Sequence, residues 1–147
     1  MRRPVAALTL VSAFLLFQAA SLRANTERCG EKQDQWLHHA DPKTWASLYR
    51  LFRQFSQCDD GEIAEGFSKH VAQLLLNQWT HLTSLDHLMT SDAAFGEFVL
   101  RHIDATLSED ELKAIAANTR DHCPTGEGQL CRRIGIEADR SLNELRR

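Results

Sequence analysis

The first pattern along the chain is an apolar run without any period. Arg2 and Arg3 precede residues 5–17, in which nothing is more polar than Thr9 and Ser12. A run of about 13 residues spans roughly 20 Å as a helix, short of the roughly 30 Å hydrocarbon core of a bilayer. Basic residues, a short apolar core and then the small residues Ala19, Ala20, Ser21 and Ala24 have the layout of a cleaved secretory signal. We therefore expect residues 1–24 to be a signal peptide, and residues 25–147 to form one domain that is periplasmic or secreted.

Beyond that run the pattern becomes periodic. After a polar lead-in, Trp45, Leu48, Tyr49, Phe52 and Phe55 recur at offsets of 3, 4, 7 and 10, which places them on one face of a helix. Asp41 and Pro42 are the expected start, as a carboxylate cap followed by a proline in the first turn. Ile63, Phe67, Val71, Leu74 and Leu75 repeat the stripe behind an acidic cap at residues 59–62, so that Phe52 is expected to pack on Ile63, Phe67 and Val71. Leu82, Leu85, Leu88 and Met89 mark a short helix. From Ser91, the residues Phe95, Phe98, Val99 and Ile103 mark another. Ser108 with Glu111 forms a capping box ahead of Leu112, Ile115 and Ala116.

Residues 132–147 carry Ile134, Ile136, Leu142 and Leu145 among many charges, and predict a loosely packed last helix with a frayed end. No segment alternates with period two, so strands are not expected. The reading is an all-α fold, a compact array of four to five antiparallel helices joined by short connections and held by two disulfides. An orthogonal bundle and a short stack of helix pairs both fit it.

Charge narrows the function. Losing Arg2, Arg3 and Arg23 with the signal lowers the basic count from 17 to 14 against 20 acidic residues, a net charge of about −6. Such a domain lacks the basic face that nucleic acid requires. No second apolar stretch approaches the length of a membrane span. The four cysteines, Cys29, Cys58, Cys123 and Cys131, are an even set in an exported segment and read as two disulfides. Cys29 with Cys58 and Cys123 with Cys131 is the preferred pairing, because each closes a short loop beside turn signals. The paired C-x-x-C knuckles of a zinc site are missing, so no metal or cofactor is expected.

The candidate chemistry is sparse. Seven histidines form no H-E-x-x-H motif. His102 stands out, because Arg101 and Asp104 flank it beside the inward Val99 and Ile103. A structural histidine is the first reading of it and a binding residue the second. Asp59, Asp60, Glu62 and Glu65 suit helix starts, where the dipole favours carboxylates, and lack the ligand ladder of a calcium loop. There is no nucleophile elbow, phosphate loop or dinucleotide fingerprint, and no catalytic residue is assigned. Trp36 and Trp79 fall outside the cleanest stripes, and a tryptophan in that position is a candidate interface anchor.

Trp36, Trp79 and His102 are thus the candidate binding residues of a protein acting by protein–protein contact in the cell envelope. In layout, across the whole mature chain, it resembles the exported helical immunity proteins that bacteria use against wall-degrading toxins. The resemblance implies an inhibitor, adaptor or immunity-type role. The alternatives are a lysozyme-like cell-wall hydrolase using Glu62 or Glu65, and a structural accessory of an envelope assembly. The oligomeric state is left open.

Overall fold

The computed structural model describes Cys29, Gly30, Trp36 and residues 40–147. The expected signal peptide, residues 1–24, lies outside the described residues. The chain divides into two units, residues 1–38 and 39–147. In the first, Cys29, Gly30 and Trp36 are helical, and the Trp36 side chain is buried.

In the second unit the described residues form six α-helices and no strand. They are α1 (Trp45–Phe55), α2 (Gly61–Asn77), α3 (Leu82–Ser91), α4 (Ala93–Arg101), α5 (Glu109–Asp121) and α6 (Gly128–Leu145), with 3-10 turns at Ser56–Cys58 and Trp79–His81. The all-α expectation holds. No cysteine is free, and the two disulfides are Cys29–Cys58 and Cys123–Cys131, the pairing expected from loop length. No described helix is long and apolar enough to cross a membrane.

Local chemistry sets the boundaries. The first helix does not start at Asp41 and Pro42, because Thr44 and Ser47 form a better cap three residues on. Thr44 Oγ1 accepts from the Ser47 amide at 3.2 Å, and Ser47 Oγ accepts from the Thr44 amide at 3.0 Å. Asp41 pairs with Lys43 instead. At α2, the Asp60 carboxylate accepts from the Gly61 amide at 2.8 Å, and Gly61 has φ +51°, a conformation open to glycine. Asp92 alone separates α3 from α4. Its Oδ1 caps Ala94 and Phe95 at 3.1 and 3.2 Å, and its Oδ2 accepts from the Tyr49 hydroxyl at 3.0 Å, which ties α1 to this joint. The capping box at Ser108 and Glu111 is present as expected.

The core of this unit has two characters. Around α1, α2 and α4 it is aromatic. Phe98 lies between Phe52 and Phe67, with ring centroids 4.9 and 4.6 Å away, and Phe95 is 5.3 Å from Phe52. The rings that meet Phe52 are Phe95 and Phe98 of α4 and, stacked at 6.1 Å, Tyr49 of its own helix.

Around α5 and α6 the core is aliphatic and small. The two helices return antiparallel through the loop closed by Cys123 and Cys131, whose Cα atoms are 6.1 Å apart. Ile115, Ala116, Ile134 and Ala138 are buried between them. The last helix expected from residues 132–147 is present as most of an 18-residue helix, and it is packed closely rather than loosely, with Ile134, Ala138, Ser141 and Leu142 buried. Gly135 explains this: a Cβ there would stand 3.0 Å from Thr119 Oγ1, so its absence lets the two backbones approach.

Candidate functional site

One cluster of polar side chains with catalytic residue types lies at the end of α4. Ser68 sits on the buried face of α2, one position after Phe67. His102 caps the end of α4, and its amide bonds back to the Phe98 carbonyl at 3.2 Å. Their side chains meet inside, Ser68 Oγ to His102 Nδ1 at 2.9 Å. On its far side the ring meets Asp59, Nε2 lying 3.0 Å from Oδ1 and 3.2 Å from Oδ2. Arg101 donates to the same carboxylate at 2.6 Å. At the other end Ser68 Oγ donates to Asp104 Oδ2 at 2.7 Å, while Asp104 Oδ1 accepts from the Thr106 amide at 2.9 Å.

Ser68 is 1 % exposed and His102 3 %. The imidazole lies 4.4 Å from the Phe98 ring in an edge arrangement and 5.6 Å from Phe67. The Arg101 guanidinium stands over the outer part of this cage, 5.7 Å from the Phe98 centroid. Burial works to raise the Asp59 carboxyl, but hydrogen bonds from His102 and Arg101 outweigh it and hold the group below its ordinary value.

The sequence Ser68, His102, Asp59 has the members of a nucleophile, base and orienting acid. Its chemistry is different. A nucleophile has to reach a substrate, and the Ser68 hydroxyl is enclosed, with its hydrogen committed to Asp104. The cluster joins three pieces of chain: the turn before α2, α2 itself, and the end of α4. Such a network is strong only when every member is satisfied.

The residues expected to bind a partner sit in the interior. Trp36 is 4 % exposed and Trp79 8 %, and the Trp79 indole N–H donates to the His122 carbonyl at 2.8 Å, which ties the turn after α2 to the end of α5. His102 is in the buried cluster. Its companions Ser68 and Asp59 are absent from the residues the sequence singles out for binding. Ser68 carries a signal, falling on the inward stripe three, four and seven residues before Val71, Ala72 and Leu75. Asp59 carries none, since it and Asp60 both suit a helix cap.

Compared with known protein families, with characterised proteins and with solved structures, the chain matches none of them. Its own surface therefore supplies the rest. One groove, of about 430 Å³, is lined by Glu62, Glu65, Lys69, Thr106, Leu107 and Glu111. Glu62 and Glu65 are both exposed on it, so neither has the apolar surroundings that a general acid needs at neutral pH. A second groove, of about 370 Å³, runs between α5 and α6 over Ala116 and Leu142. It is bordered by Lys113, Arg120 and Arg146 against Asp139. Lys113 and Arg146 share one oxygen of Glu109, at 2.9 and 3.5 Å, and Arg120 makes no ion pair among the described residues. Among the described residues no three His, Cys, Asp or Glu side chains come together as a metal site would require.

Proposed function

We propose that the chain is an exported protein-binding domain, working in the periplasm or outside the cell as an inhibitor, adaptor or immunity-type partner. The observation that carries this reading is the enclosure of Ser68 and His102, which turns the cluster with catalytic residue types into a structural element and leaves the exterior to do the work. Two disulfides suit an oxidising compartment. The groove between α5 and α6 fits an acidic segment of the partner protein. Three cations border it, Glu109 is shared by two of them with Asp139 on the opposite side, and Arg120, which makes no ion pair among the described residues, can meet a carboxylate of the partner.

Capture from the envelope fraction of the source cells tests both halves of the proposal, with the wild-type chain and an Arg120→Glu/Arg146→Glu variant of equal helix content as paired baits. A protein held by the first, released by salt and lost by the second supports the reading. The same proteins on both baits would remove the groove from it, and no specific protein on either would remove binding. Mass spectrometry of the exported form should give a mature terminus at Asn25 or within about four residues upstream of it. An intact Met1 on the exported chain would overturn the signal peptide.

A further inference from the structure

The groove between α5 and α6 presents its charges in an order. Two contacts fix how the antiparallel helices stand beside each other. A Cβ on Gly135 would meet Thr119 Oγ1 at 3.0 Å, and Arg146 lies 3.5 Å from Glu109. Helices held at these two points bring Asp139 of α6 near the level of Ala116, and so between Lys113 and Arg120 of α5.

At one end of the groove Lys113 and Arg146 share the single carboxylate of Glu109, which leaves one positive charge in excess. At the other end Arg120 makes no ion pair among the described residues, and neither does Asp139 in the middle. The order along the groove is therefore positive, negative, positive. Lys113 and Arg120 are seven residues apart, so the two positive ends lie about 10 Å apart along the helix axis. The floor adds little to affinity, because Ala116 and Leu142 are already buried. Recognition falls to the exposed charges of the rim, which are worth little singly and set specificity together.

We propose that the occupant of this groove is a helix of the partner protein with two carboxylates seven residues apart and a lysine or arginine midway between them. The inference rests on the protein-binding reading of the same groove and narrows it. A helix advances about 10 Å in seven residues and returns them to one face, which matches the spacing on α5. An extended segment covers that distance in about three residues, which turns the two carboxylates to opposite faces. The central cation meets Asp139. A third carboxylate in its place would set like charges together, so Asp139 turns away a uniformly acidic segment.

Two alanine-rich peptides of about 16 residues, long enough to form helix in water, test this against the disulfide-intact exported chain. Both carry two glutamates seven residues apart and one arginine. In the first the arginine lies midway on the same face, and in the second it lies on the opposite face, so the net charge is equal. Amide shifts of the nitrogen-15 labelled chain follow binding in about 0.02 M salt, where exposed charges are weakly screened. The first peptide should move the amides of Lys113, Arg120 and Asp139 and show helical carbon-13 shifts when bound. It should bind about threefold more tightly than the second. Asp139 is exposed, and Asp139→Arg should reverse that preference without loss of helix. Equal affinities at the groove would overturn the charge order and leave a groove for acidic segments standing. Failure of both peptides to move those amides would overturn the inference and the groove together. A preference unchanged in Asp139→Arg, or a bound peptide that is extended, would overturn the inference alone.

Discussion

The aromatic half of the core and the small-residue half fill space by opposite means. Around Phe98 a few large rings meet edge to face, each covering much area, and the helices stand apart to admit them. Between α5 and α6 there is no ring. Gly135 lets α6 lie close on α5 at Thr119, with the small Ala116 and Ala138 buried nearby, and the gain comes from many short contacts between backbones and methyl groups. The first half is easily damaged by removing atoms, and the second by adding them.

Truncation in the aromatic half should have the largest effect. Phe98→Ala removes the ring that touches Phe52, Phe67, Phe95 and His102, and should lower stability by about 3–5 kcal/mol in urea melts of the oxidised chain. A loss below about 1 kcal/mol would mean that the rings are not holding the helices. In the other half the sign of the volume change reverses. Gly135→Val should cost about 1–3 kcal/mol, because the new methyl groups run into Thr119 Oγ1. A gain in stability from Gly135→Val would show that α5 and α6 are free to move apart.

Acid should bear on the aromatic half through Asp59. Its folded carboxyl titrates below its ordinary value of 3.8, so the stability it contributes is present above that pH and is lost as pH falls through the folded value. His70 acts earlier with the same sign. Burial holds its ring below the ordinary 6.5, so stability falls as pH drops below about 6.5 towards the folded value. Melts from pH 7 to 3 should show both steps, and Asp59→Asn should diminish the lower one, to which Asp92, Glu109 and Glu111 also contribute. The smallest effect belongs to Ile136, which is 58 % exposed on the outer side of α6. Ile136→Ala should change stability by less than about 0.5 kcal/mol. A larger loss would place that side chain under cover.

The aromatic half was more legible in the sequence than the small-residue half, where the stripe of α5 was plain and that of α6 was broken. Trp45, Leu48, Phe52 and Phe55 announce their helix because large apolar residues recur on one face, and all four are buried. In residues 132–147 the visible Ile134 and Leu142 are buried, but so are Ala138 and Ser141, which carry little hydrophobic signal, while the visible Ile136 and Leu145 face outward. Small residues on an inward face leave a broken stripe to read.

The buried cluster was half legible. Arg101, His102 and Asp104 stand together in sequence, so a polar knot at the end of α4 was foreseeable. Its partners come from 34 and 43 residues away, at Ser68 and Asp59. Only the fold brings them in. Asp59 illustrates the limit, since two adjacent aspartates before a glycine both suit a cap, and the choice of Asp60 for the cap and Asp59 for the interior is made by His102 and Arg101.

The hairpin of α5 and α6 has a kinetic consequence. Its partners are close neighbours in sequence, and the disulfide between Cys123 and Cys131 shortens the path between them further. Loop closure, which slows the assembly of distant elements, is therefore small for this pair. The hairpin should form ahead of the aromatic half, whose rings must be gathered from α1, α2 and α4. In native-state hydrogen exchange, the amides of Ile115 and Ile134 should consequently be among the last to open, and those of α1 should open in an earlier, separate step.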